Sequence, residues 1–187
     1  MEIKDYLKEY PIVGIISNYK VNLNFSGKVK DLDIKDINKG LKIVGLSEDI
    51  INKELNDLTI SEKWKVDLLT KIHKDIIIVG NLSSDLIFKD REYMKKLFIK
   101  LNRDYDKKII VIDNKVDVFM NLVKKIYVLD NKKIVYETSD FYDDKLYTYT
   151  KMPNIVDFIK YVNKDNEKLA ESIEIYELIK DIYREVS

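Results

Sequence analysis

The chain has 187 residues, 45% hydrophobic and 35% charged, a balance that supports one folded core and is too apolar for a disordered chain. Its 33 Lys and Arg offset 33 Asp and Glu, which leaves no net charge to draw nucleic acid or an acidic membrane. There is no cysteine, which excludes disulfides, thiolate chemistry and cysteine zinc sites, and no apolar run approaches the ~20 residues of a membrane-spanning helix.

The first ten residues, MEIKDYLKEY, lack the apolar core of a signal peptide, so a cytoplasmic chain without direct membrane insertion is expected. PIVGII (11–16) reads as a short buried strand. DIKDINKGLKIVGL (33–46) has helical spacing through Ile34, Ile37, Leu41 and Val44. Ser47 should cap a further helix, with Glu48 and Asp49 suited to its positive end, and Ser61 should cap the next. In that next helix Trp64, Leu68 and Ile72 share one face, which reads as packing. DIIIVGNLSSDL (75–86) is a buried strand running into a polar turn.

DREYMKKLFIKL (90–101) places Tyr93, Met94, Leu97, Phe98 and Leu101 on one helical face. KKIIVID (107–113) is another buried strand, VDVFMNLV (116–123) a short helix, and KIYVLDNKKIVYET (125–138) a hairpin turning at Asp130-Asn131-Lys132. Strands alternating with helices, and apolar along their whole length, predict an α/β fold whose mostly parallel sheet carries helices on both faces. The composition shifts near 139–150, where FYDDKLYTYT (141–150) is either a sticky patch or an internal brace. PNIVDFIKYV and IEIYELIKDIYREV then read as helices, so the chain divides into a domain over 1–140 and a helical appendage over 141–187. Ile175, Leu178, Ile179, Ile182 and Val186 form one apolar stripe on the last helix, free to pack on this domain or on another chain.

The order of these elements from about residue 12 to 140 resembles the later part of an ATP-binding cassette (ABC) ATPase, and within that family the energy-coupling factor type. GIISNYKVNLNF (14–25) looks like the family's glutamine-loop segment, with Asn18 at the glutamine's place. LTISEKWKV (58–66) lies where the Leu-Ser-Gly-Gly-Gln signature belongs. IIIVGNLSSDL (76–86) matches the strand and turn that carry Asp-Glu, here Gly80 and Asn81. IIVIDNKVD (109–117) matches the switch strand with Asn114 where the histidine stands, and the hairpin matches apart from Lys132, which replaces a glycine.

The resemblance implies a P-loop NTPase fold without its chemistry. The five glycines are scattered and form no Gly-x-x-x-x-Gly-Lys-Ser/Thr loop to cradle phosphates. Neither Gly80 nor Asn81 can organise Mg²⁺ or orient a water as a carboxylate would. The chain has no glutamine, and its one histidine, His73, sits before the strand and reads as a solvated helix end. No bound cofactor or metal and no ATPase activity are expected. The implied partners are proteins: an intact ABC ATPase subunit or a transporter's transmembrane subunit, met as a homo- or heterodimer through the terminal stripe.

In the family the strand that feeds the phosphate loop is central. A chain starting after that loop would leave strand edges open, unless another chain fills the gap or the sheet closes differently. Two other readings stand beside this one. Asp85, Asp113 and Asp117 are either turn and cap residues or a hard-metal site of a small α/β enzyme at the strand ends. The chain is otherwise a gene remnant without selected activity.

Overall fold

The computed structural model describes residues 7, 9–19, 26–164 and 169–185. Strands β1 (Ile12–Ile16), β2 (Ile76–Gly80), β3 (Lys108–Asp113), β4 (Ile126–Asp130) and β5 (Lys133–Thr138) build one sheet in the order β2-β3-β1-β4-β5. The first four are parallel, and β5 returns antiparallel to β4. The main helices are α1 (Ile37–Val44), α2 (Ile60–Lys71), α3 (Phe88–Tyr105), α4 (Asn154–Asn163) and α5 (Ile175–Glu185).

All five residues of β1 are buried, as only a strand covered on both faces requires. Ile12 and Ile16 join Ile77, Val79, Ile109 and Val111 in the main core. Val13 and Ile15 face the opposite side, where Ile110, Tyr127 and Leu7 complete a smaller cluster. Of the two ways to avoid open edges at the centre of the sheet, a filling partner or closure within the chain, this arrangement is closure. β1 pairs with β3 from Ile12↔Ile109 to Ile16↔Asp113 and with β4 from Gly14↔Ile126 to Ile16↔Val128. The sheet has closed around an apolar strand at its middle.

Gly14 makes that centre possible. A Cβ there would lie 2.8 Å from Cγ of Phe119, so the missing side chain lets the Phe119 ring lie against the strand. At the β2 edge, Lys71 Nζ donates to the Ile78 carbonyl (3.2 Å) and to Asp67 (2.5 Å). A charge placed against an open edge discourages a further strand from pairing there. Burial pushes the Asp67 carboxyl above its ordinary range, and Lys71 opposes the shift.

Three local expectations change. The cap of α2 is Thr59, not Ser61, because Thr59-x-x-Glu62 has the reciprocal spacing of a capping box. Ser47 precedes only a 3-10 turn, Glu48–Asn52, and its hydroxyl donates to the Asp49 carboxylate instead of capping backbone. Residues 116–123 supply a 3-10 turn at Val116–Val118, not a helix of their full length.

The hairpin turns where expected, with Asn131 at φ 45° and Lys132 at φ 63°. Both central residues are left-handed, the conformation that a two-residue turn between twisted strands demands and that Asn-Gly suits best. Lys132→Gly should therefore raise stability by ~0.5–1 kcal/mol, read as a shifted urea midpoint at unchanged slope.

In the segment 141–185, Phe141, Leu146 and Val156 enter the main core, while Leu178 of α5 packs on Ile159 and Leu169. The tyrosines of 141–150 brace this segment from within. The Tyr147 hydroxyl donates to the Phe141 carbonyl, the Tyr142 hydroxyl donates to Ser172 O (2.7 Å), and Tyr149 stacks on Tyr136. Burial pushes the Tyr142 hydroxyl up to about 12.

Candidate functional site

α/β proteins place their sites beyond the carboxyl ends of parallel strands, because the loops there converge on one crevice. Here the ends of β1, β2 and β3 meet at Asp113, which is 2% exposed. Its carboxylate accepts the Ser83 N–H (2.9 Å), the Ser83 hydroxyl and the Lys115 N–H (3.1 Å). Its carbonyl accepts the Ser17 N–H (3.0 Å). One residue thus ties together the segments that follow all three strands.

The turn after β2 fits this clasp by its backbone. Asn81 takes the left-handed conformation at φ 58°, which an Asn tolerates better than most residues. Its N–H donates to Ile112 O (3.0 Å), and the one-turn helix Leu82–Asp85 then brings Ser83 over Asp113. Gly80 ends β2, and Asn81 is the residue that follows it. Asn114 is exposed beside Asp113, and its carbonyl accepts the Thr150 hydroxyl (2.9 Å). Asn18 is exposed two residues past the end of the central β1, and residues 20–25 of the same segment lie outside the described residues.

The three aspartates do not converge as a metal site. Asp113 spends its oxygens on Ser83 and Lys115, Asp85 is exposed and accepts the Ser84 hydroxyl (2.7 Å), and Asp117 sits in the turn after β3. Among the described residues no three His, Cys, Asp or Glu side chains are grouped to hold a metal. The metal-enzyme alternative loses its structural basis. His73 is exposed at the end of α2.

The helix that starts within the signature-like segment is closed by its own side chains. The Thr59 hydroxyl accepts the Glu62 N–H (3.2 Å), and the Glu62 carboxylate accepts the Thr59 N–H (2.8 Å). The Thr59 backbone N–H holds the Glu62 carboxyl below its ordinary range, helped by the Thr59 hydroxyl and Lys53. A carboxylate therefore occupies the helix end that would otherwise favour a phosphate. Trp64, fully buried, packs one turn further on.

The terminal stripe divides in two. Leu178 (9% exposed) and Ile182 turn inward, while Ile175 (64%) and Ile179 (44%) face out, beside the exposed Tyr176 and Tyr183. Val186 lies outside the described residues. Sequence reasoning missed Ser83 and the Thr59–Glu62 box. The box was legible as Thr-x-x-Glu, whereas Ser83 became visible only once β2 and β3 were paired.

No family model matches the chain. The energy-coupling factor transporter ATP-binding protein EcfA2 of Mycoplasma capricolum subsp. capricolum is 26% identical over 111 residues, 58% of this chain and 38% of its own length. The methionine import ATP-binding protein MetN 2 of Bacillus anthracis is 28% identical over 149 residues, 78% of this chain and 42% of its own. The chain thus spans less than half the length of these curated relatives. Among solved structures, cbiO1 from Clostridium perfringens, part of the ABC transporter complex cbiONQ, aligns with a TM-score of 0.55 at 15% identity over 87% of this chain and 67% of that one. The ADP conformation of MJ1267, an ATP-binding cassette of an ABC transporter, aligns with a TM-score of 0.51 at 12% identity over 86% and 72%. At such identities these two structures speak to the fold alone. Sequence and fold point the same way: the chain is similar to ATP-binding proteins of ABC transporters, and its mostly parallel sheet has the fold of the ABC ATPase cassettes.

Proposed function

We propose that this chain is a non-hydrolysing ABC-ATPase-like protein that acts through contacts with other proteins. The observation that carries the reading is the fate of the strand-end carboxylates. Where the resemblance puts Asp-Glu stand Gly80 and Asn81, and the buried carboxylate nearby, Asp113, has its oxygens committed to Ser83 and Lys115. The central place of β1 supports a second change of assignment. In a P-loop unit the phosphate loop follows such a strand, so the segment opening with Ser17, Asn18 and Tyr19 stands at the phosphate loop's position, not the glutamine loop's. That segment, SNYKVNLNF, has neither the glycines nor the Lys-Ser/Thr pair that bind phosphates.

The partner is an intact ABC ATPase subunit or a transporter's transmembrane subunit, met through the outward residues Ile175, Tyr176, Ile179 and Tyr183. Such a partner would hold the chain peripherally at the inner face of a membrane. No helix among the described residues is long and apolar enough to cross one. Titration with Mg-ATP should show no saturable binding and no phosphate release, and saturable micromolar binding would overturn the reading. Reconstituted with the intact ATPase and transmembrane subunits of the same genome, the chain should co-elute, and Ile179→Glu should abolish co-elution while leaving its thermal midpoint nearly unchanged.

A further inference from the structure

We infer that the groove between α3 and the C-terminal segment binds a small amphipathic organic acid, its carboxylate held by Arg91 and its apolar chain laid along the groove. The groove has a volume of about 590 Å³, within the ~300–1,000 Å³ range of ligand sites, which favour the junctions between structural units. The first turns of α3, the turn after β3 and the start of α5 form its walls. Phe88, Met120, Met152, Ile155, Ile173 and Tyr176 give it an apolar lining.

The charges in the lining set the ligand's head group. Lys95 is 9% exposed and already neutralised, since its ammonium donates to Met120 O (3.1 Å) and pairs with Glu92 (2.9 Å). Arg91 is different. It is half-buried, and its side chain makes a single long bond among the described residues, from Nη1 to Ser83 O at 3.4 Å. The rest of its five N–H donors have no acceptor among those residues. A planar guanidinium with spare donors matches a carboxylate in two parallel bonds.

Lys115 and Lys151 stand exposed on the same lining with no carboxylate partner among the described residues. Asp117 and Glu174 also line the groove. With the Lys95–Glu92 pair cancelled, Arg91, Lys115 and Lys151 against these two acids leave an excess of one positive charge. That excess selects an anion over a cation of the same length. Ser83 couples the groove to the Asp113 clasp, because its carbonyl accepts Arg91 while its N–H and hydroxyl hold Asp113. The inference does not depend on whether the chain hydrolyses ATP.

Calorimetric titration of the whole chain with dodecanoate, kept below its micellar range, provides the test, with dodecyltrimethylammonium as the charge-reversed probe. Dodecanoate should bind saturably and the ammonium should not. Arg91→Gln should weaken dodecanoate at least about tenfold, as loss of charge-assisted bonds does, and the exposed Lys151→Gln by less. Both variants must keep the wild-type circular dichroism spectrum, which the exposure of Lys151 and the single long bond of Arg91 favour. Absence of saturable binding, equal binding of the cationic probe, or undiminished affinity in Arg91→Gln would each overturn the proposal.

Discussion

Asp113→Ala should lower the stability of the fold by about 3 kcal/mol, measured as a drop in the urea midpoint. The reason is geometric. Truncation of Asp113, itself 2% exposed, leaves the N–H and hydroxyl of the half-buried Ser83 and the Lys115 N–H without their acceptor, and an unsatisfied buried donor costs roughly 1–3 kcal/mol. Asp113→Asn should cost less than the alanine variant but still be destabilising. An amide keeps one acceptor oxygen and turns the other toward donors as an NH₂. Ser83→Ala should cost about 1 kcal/mol, and the double variant should fall short of the sum by at least ~0.5 kcal/mol, since both changes remove the bond from the Ser83 hydroxyl to the Asp113 carboxylate. An Asp113→Ala protein within ~0.5 kcal/mol of wild type would show that the strand ends are held by something else. The clasp bears on function because it fixes the loops beyond β1, β2 and β3 from within the chain.

The second large effect is expected at the middle of the sheet. Phe119→Ala should cost about 3–5 kcal/mol, the usual range for emptying a buried aromatic site. Gly14→Val should be destabilising by about 1–3 kcal/mol or more, because its first added carbon would already meet the Phe119 ring at 2.8 Å. The two changes are complementary in volume, so the double variant should be more stable than the Phe119→Ala single variant. Thermal or urea unfolding of the four proteins, followed by the fluorescence of the single, fully buried Trp64, reads this directly. If the two losses simply add, the ring is not seated on Gly14. Because β1 bridges β3 and β4, loosening this contact should also weaken the pairing on which the strand-end clasp depends.

Several elements were legible because a local rule sufficed. The hairpin turn at Asn131-Lys132 follows from residues that tolerate φ > 0 between two apolar runs. In α3, Met94, Leu97, Phe98 and Leu101 are buried as their helical spacing predicts. Tyr93, from the same stripe, is 39% exposed and instead sends its hydroxyl to Val44 O (3.0 Å). Ser61 misled because a hydroxyl near a helix start is a common signal, and the partner that makes a cap reciprocal, Glu62, pairs with the residue three positions before it, Thr59.

The strand order was not legible. IVGII is an apolar pentamer whether it lies at an edge or in the middle, and nothing within it states its neighbours. Its resemblance to the segment before a glutamine loop rested on local residues, while its place between β3 and β4 is set by pairings about a hundred residues away. The terminal stripe illustrates the same limit. Helical periodicity gathers Ile175, Leu178, Ile179 and Ile182 on one side, yet only contact with Ile159 and Leu169 separates the inward Leu178 from the outward Ile175 and Ile179.

By itself, then, the sequence determined an α/β chain with apolar strands, the absence of cysteine, of glutamine and of a glycine-lysine phosphate loop, and a cassette-like order of elements. These are properties of composition and of residues close along the chain. Only the tertiary structure decided that β1 is central, that Asp113 is used up as an internal clasp while Asp85 and Asp117 stand apart, and that Arg91 keeps spare donors over an apolar groove. Each of these depends on which distant segments meet. Periodicity carries no information on that, because hydrophobic burial is non-directional and the choice of partner is made by packing and hydrogen-bond geometry across the whole sheet.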